Sequence, residues 1–169
     1  MEKLVKKNCI ESLKKPGPPI IIATLPEEAE AIYYACRDHG IKVTAFCDNE
    51  LRRVDKNYCG LKVIHTPELA KHYPKARIII AFFNLDEPSE QLSDLGFDDF
   101  YSPLELLDNY DINKHKHRHK QSYIQTKISI SKKSHRMYFD ENRTYLRSID
   151  IMITTKCSMK CKSCANLMQ

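Results

Sequence analysis

The amino-acid sequence predicts an α/β fold built on a small doubly wound parallel sheet. Two observations carry that prediction. Apolar, β-branched runs such as "PIIIA" (19–23) and "ARIIIAFF" (76–83) are continuous rather than alternating, as strands covered on both faces are. Between such runs lie stretches with helix-start and helix-stop signals, so strand and helix alternate along the chain.

The elements follow in order. "PIIIA" is the first strand. "LPEEAEAIYYACRDHG" (25–40) reads as a helix: Pro26 suits its first turn, Glu27, Glu28 and Glu30 favour its N-terminal end, and Gly40 suits its stop. Ala29, Ile32, Tyr33 and Cys36 fall at helical spacing and are expected to face the sheet. "IKVTAFCD" (41–48) is a second strand, and "LKVIH" (61–65) is a third after a turn. "TPELAKHY" (66–73) is a short helix with Thr66 as N-cap and Pro67 at its first position. "ARIIIAFF" gives the fourth strand, "EPSEQLSDLGF" (87–97) a helix, and "DDFYSP" (98–103) a fifth strand. Right-handed crossovers then place a ligand at the carboxyl ends of the strands.

Charge divides the chain. Residues 1–110 carry 14 Lys/Arg against 18 Asp/Glu, whereas residues 111–169 carry 13 against 4. The expected organisation is an N-terminal helical extension (1–17), the α/β domain (18–108), a basic linker and lead-in (109–147), and a distinct C-terminal segment (148–169). No apolar run reaches the roughly 18 residues of a membrane helix, and "MEKLVKKNCIESLKK" has no apolar signal-peptide core. The seven cysteines are an odd set, and Cys9, Cys36, Cys47 and Cys59 are widely scattered, so they do not read as a disulfide framework. A reducing, cytoplasmic setting is expected.

The loop after the first strand tests for a nucleotide site. A dinucleotide fold places glycines there, so that backbone amides approach a pyrophosphate. Here the loop reads "ATLPEEAEA": it has no glycine, and its glutamates would repel an anion. Asp48 ends the second strand, where an acid can grip a ribose hydroxyl; in "CDNE" it is equally a good turn residue. The stretch from strand and helix through "VTAFCDNE", "GLKVIHTPEL", "ARIIIAF" and "LGFDDFYSP" resembles the Rossmann-like N-terminal domain of bacterial sugar acetyltransferases acting on nucleotide-linked amino sugars. The resemblance implies a Rossmann-like fold and a small-molecule substrate that is sugar-linked. The family's glycine-rich first loop is missing here.

"NYDINKHKHRHKQ" (109–121) interleaves His115, His117 and His119 with Lys114, Lys116, Arg118 and Lys120. Alternation puts the histidines on one side of an extended segment, as in a metal clamp, but the flanking cations oppose a bound dication. A solvated basic linker is expected. A nucleic-acid surface would need interleaved aromatics, and only Tyr123 is near, so no nucleic acid is expected as a partner.

The C-terminal segment carries chemistry. Ile149, Ile151 and Ile153 alternate with Asp150 and Met152 as a strand, and Cys157, Cys161 and Cys164 follow as C-x3-C-x2-C. Three thiolates on one tight loop can hold three irons of a 4Fe–4S cluster and leave the fourth open to a substrate or cofactor. Lys156, Lys160 and Lys162 would lower the thiol pKa values and aid metal binding. This loop, after an apolar strand and Thr154–Thr155, resembles the radical SAM superfamily. The resemblance implies Cys157, Cys161 and Cys164 as cluster ligands and S-adenosylmethionine bound at the open iron and cleaved to a 5′-deoxyadenosyl radical. It also implies an electron donor such as flavodoxin or ferredoxin. The family's aromatic residue before the third cysteine is Ser163 here. Later strands of the family's partial TIM-type barrel are not in the sequence, so the expected arrangement is the N-terminal portion of such an enzyme, with the first strand and loop of a truncated barrel. The alternatives are a zinc site completed by His135 or a histidine of 115–119, free thiols, and a non-catalytic module binding a nucleotide sugar or a protein partner.

Overall fold

A computed structural model of the chain describes residues 4–140. It has an α/β fold with a seven-stranded, mostly parallel sheet in the order β1-β7-β6-β2-β3-β5-β4, alternating with helices in a Rossmann-like manner. The strands are β1 (Val5–Lys6), β2 (Ile20–Ala23), β3 (Val43–Asp48), β4 (Asn57–Tyr58), β5 (Leu61–His65), β6 (Arg77–Ile80) and β7 (Phe100–Tyr101). Only the β4–β5 pair is antiparallel. The helices are α1 (Ile10–Lys14), α2 (Ala29–Asp38), α3 (Leu69–His72, entered through a 3-10 turn at Thr66–Glu68), α4 (Asp86–Asp94), α5 (Leu104–Asp108) and α6 (Gln121–Phe139).

The continuous apolar runs have the cause inferred from them. All four residues of β2 and of β6 are buried, because each strand has neighbours at both edges and helices on both faces. Successive side chains alternate between layers. Ile20, Ile22, Phe46, Val63 and Ile79 pack with α1, α2, α5 and the first half of α6. Ile21, Ala23, Ala45, Cys47, Ile64, Ile78 and Ile80 pack with α3 and α4. On α2, Ala29, Ile32 and Cys36 are fully buried and Tyr33 packs partly against the same layer.

Three parts of the molecule differ from the sequence expectation. Residues 4–17, expected as a helical extension, hold a strand as well. β1 joins the sheet beside β7. Glu105 accepts from the Cys9 and Ile10 amides at the start of α1 (2.7 and 2.9 Å). The Arg77 guanidinium donates to the carbonyls of Ser12, Lys15 and Pro18 at its end. A two-residue strand has no hydrophobic period to read. The same holds for β4, expected only as a turn.

The third difference lies in residues 109–147, expected as a basic linker and lead-in. This segment contains the 19-residue helix α6, whose Ile124, Ile128, Ser131 and His135 are buried. Ile124 and Ile128 belong to one layer, while Tyr138 and Phe139 pack against the other. The helix therefore passes over the carboxyl ends of β6 and β7. There His135 Nε2 meets the Phe82 carbonyl (2.8 Å) and His135 Nδ1 meets Ser102 Oγ (3.0 Å). Among the described residues no helix is long and apolar enough to cross a membrane.

Candidate functional site

Strand order sets where a ligand can sit. From β2 the chain proceeds through α2 to β3 and β5 on one side; it then returns to β6 and β7 on the other. The order reverses between β2 and β6, and the loops leaving these strands part there, opening a crevice at the carboxyl edge of the sheet. A cavity of about 380 Å³ occupies this place, lined by residues that include Thr24, Pro26, Glu27, Asp48, Phe82 and Gln91.

The first loop bears a strain at the position where a dinucleotide-binding loop would carry glycine. Thr24 has φ +68°, an outlying value for a β-branched residue. Its amide donates to the Cys47 carbonyl (2.8 Å), which holds the loop against β3. Thr24 Oγ1 is buried and has no hydrogen-bond partner among the described residues. Strain held in place by its surroundings at the mouth of a crevice is a mark of a functional loop. Nothing in the sequence marks Thr24, because threonine is not a residue that announces a left-handed turn.

Asp48 lies on the crevice wall with 7 % of its surface exposed. Its Oδ1 accepts from the Glu50 amide (2.7 Å) and its Oδ2 from an Arg53 guanidinium nitrogen (3.1 Å). The turn role and the wall position thus coexist in one residue. Arg53 also donates to the Leu25 carbonyl (2.6 Å) and pairs with Glu50 (2.9 Å), so it braces the first loop against the loop after β3. Asn49 and Gln91 exchange amide hydrogen bonds of 2.8 and 3.1 Å across the crevice rim.

A second cavity, of about 390 Å³, adjoins the first and shares Leu25, Pro26, Glu27 and Arg53 with it. Its character is opposite. Arg52, Arg53, Lys56, Arg118 and His119 line it, and among the described residues Glu27 is the one acid in its wall. Arg118 reaches it from residues 115–119 and stacks its guanidinium over the Tyr58 ring at 4.4 Å.

The histidines are dispersed over separate partners rather than gathered. His115 stacks on Tyr34 with centroids 4.4 Å apart and meets Asp38 Oδ1 at 2.9 Å. His117 is buried, with Nε2 2.9 Å from the Tyr110 hydroxyl and Nδ1 3.6 Å from Glu30 Oε2. Burial holds the His117 pKa below its ordinary value, outweighing Glu30. The expectation of a solvated segment thus fails for His115 and His117, because the aromatic faces of Tyr34 and Tyr110 cover them. His135 has both ring nitrogens engaged and no exposed surface, and burial lowers its pKa, so it stands in the structure as a neutral helix anchor. Among the described residues no three His, Cys, Asp or Glu side chains gather as a metal site.

Three of the four cysteines among the described residues are core side chains, and Cys59 is partly buried. Cys9, Cys36 and Cys47 are buried and free, and burial pushes the Cys47 thiol up to about 12. They are poor thiolates. Cys157, Cys161 and Cys164 lie outside the described residues. Comparison with known proteins finds no family model that matches the chain and no curated protein similar to it.

Proposed function

We propose that the chain belongs to a cytoplasmic radical SAM enzyme in which a Rossmann-like domain recognises substrate and the C-terminal segment 148–169 carries the iron–sulfur loop. The observation that carries this reading is the set Cys157, Cys161 and Cys164 in C-x3-C-x2-C spacing, directly after an alternating apolar strand pattern. The donor set suits the group: three thiolates from one loop, with Lys156, Lys160 and Lys162 beside them to favour deprotonation. A 4Fe–4S cluster held there would supply one-electron reduction of S-adenosylmethionine at its open iron, fed by a donor of the flavodoxin or ferredoxin type.

The rest is the work of the chain's own residues. The crevice between β2 and β6 offers a small molecule a wall of Asp48, Thr24 and Phe82, held in shape by Arg53. Helix α6 is fixed to that wall through His135 on the Phe82 carbonyl and through Tyr123 and Lys127 on Glu27. The same helix is the described element nearest the cysteine segment in sequence.

Anaerobic iron–sulfur reconstitution tests the reading, with Cys157→Ala as control. The expected result is a brown protein with about four irons and the broad visible absorbance of thiolate-bound iron, and strong loss of iron in the variant. A colourless protein that takes up zinc instead would overturn it and leave a ligand-binding module as the better description.

A further inference from the structure

The basic cavity is lined by none of the three cysteines, and its composition asks for an anion. Among the described residues four cationic side chains line it, Arg52, Arg53, Lys56 and Arg118, against the single carboxylate of Glu27. Their neighbours do not neutralise all of them. Glu50 pairs with Arg52 and Arg53, and Asp48 with Arg53 alone. The Arg118 side chain makes only a long ion pair, Nε to Glu30 at 3.8 Å, and it lines the cavity. Lys56 has no ion pair among the described residues. The Arg118 guanidinium carbon lies 4.4 Å from the Tyr58 ring centroid, a contact that steadies the cation beside the cavity and lowers the entropy cost of gripping an oxyanion.

The start of α2, by contrast, is closed to an anion. Pro26 contributes no amide donor there, and Glu27 and Glu28 carry or approach negative charge. The adjoining crevice presents neutral and acidic acceptors, with Thr24 Oγ1 unsatisfied and Asp48 on its wall, which suits hydroxyl groups. The two cavities meet at Leu25, Pro26, Glu27 and Arg53, so one molecule can lie across both.

We propose that the two cavities form one bipartite site for a phosphorylated, hydroxyl-bearing small molecule, its phosphate end held by Lys56, Arg52, Arg53 and Arg118 and its hydroxylated end in the crevice at Thr24 and Asp48. The phosphate site has thus moved from the first loop of the fold to the loop before β4 and the segment that carries Arg118. The proposal rests on the reading of this domain as the substrate-recognising unit. Its test needs no cluster, so its failure leaves the iron–sulfur reading standing, and a failed reconstitution leaves the test unaffected.

Calorimetric titration of the full chain decides it, with inorganic pyrophosphate, glucose 1-phosphate and uridine diphosphate as probes and glucose and uridine as uncharged controls. The phosphorylated probes bind and the controls do not. The double variant Lys56→Ala/Arg118→Ala, both exposed side chains, weakens every phosphorylated probe by about tenfold or more. Thr24→Val, which keeps the branched shape and removes the hydroxyl, weakens glucose 1-phosphate or uridine diphosphate and leaves pyrophosphate unchanged. The tighter of those two probes shows whether the source is a sugar phosphate or a nucleotide. Absence of binding by any phosphorylated probe, or equal binding to wild type and the double variant, overturns the proposal. An unchanged affinity of all probes for Thr24→Val overturns its hydroxyl half.

Discussion

The sheet and the segment that wraps it, residues 109–140, are held by different forces. Ile22, Ile78, Ile79 and Ile80 are fully buried among apolar neighbours, and nothing about their position depends on a particular polar partner. The wrapping segment has few such residues. It is fixed by pairs: His115 to Asp38, Arg118 to Glu30, Lys127 to Glu27, His135 to Ser102 and the Phe82 carbonyl, and Lys132 and Arg136 to Asp108. Apolar burial is nearly insensitive to pH and salt, whereas a set of pairs answers to both. The segment that lines the basic cavity through Arg118 and His119 is therefore also the part whose attachment can be tuned.

The contrast can be broken first at the core. Ile79→Ala empties a fully buried position in the central parallel strands and should cost about 3–4 kcal/mol of global stability, read by chemical denaturation at unchanged cooperativity. A loss under about 1 kcal/mol would mean the layers collapse around the gap more readily than their packing implies.

His135→Ala acts on the wrap. It strips the Phe82 carbonyl and Ser102 Oγ of a buried partner, at a cost of about 2–3 kcal/mol. The effect is local. Hydrogen exchange should quicken across 121–139 while β2 and β6 stay protected. Equal loss of protection in helix and sheet would show that the two regions are one cooperative unit.

Glu28 sharpens the comparison through pH. It is 4 % exposed, its Oε2 lacks a partner among the described residues, and burial raises its pKa from about 4.5 to about 7. Between those values the native state holds a proton that the unfolded chain has released, so this group makes stability fall as pH rises from about 4.5 to about 7. Glu28→Gln removes that dependence. The variant should gain about 2 kcal/mol relative to wild type between pH 5 and pH 8. Parallel pH profiles for the two proteins would contradict a carboxyl buried without compensation.

The same contrast explains what the sequence reveals. Strands of the core are legible because burial on both faces leaves an uninterrupted apolar record: "LKVIH" is β5 with the same bounds, and "ARIIIAFF" contains β6. Helix α6 leaves no such record. Of its four buried positions, Ile124, Ile128, Ser131 and His135, two are polar, so the stripe breaks off halfway and the rest reads as basic surface. At the site, Asp48 is legible because an acid closing a strand is a recognisable position. Thr24 and Arg118 are not, since a backbone angle and a cation stacked on a ring come from tertiary contacts alone. The C-terminal cysteines are the reverse case: the chemistry proposed for them rests on their spacing alone, and they lie outside the residues the structure describes.

The central claim is that Cys157, Cys161 and Cys164 hold a cluster with one iron open to S-adenosylmethionine. Electron paramagnetic resonance of the reduced, reconstituted protein tests it most directly. The account predicts a reduced-cluster signal that changes shape when S-adenosylmethionine is added and does not form in Cys157→Ala. A signal indifferent to S-adenosylmethionine, or one that persists without Cys157, would contradict it.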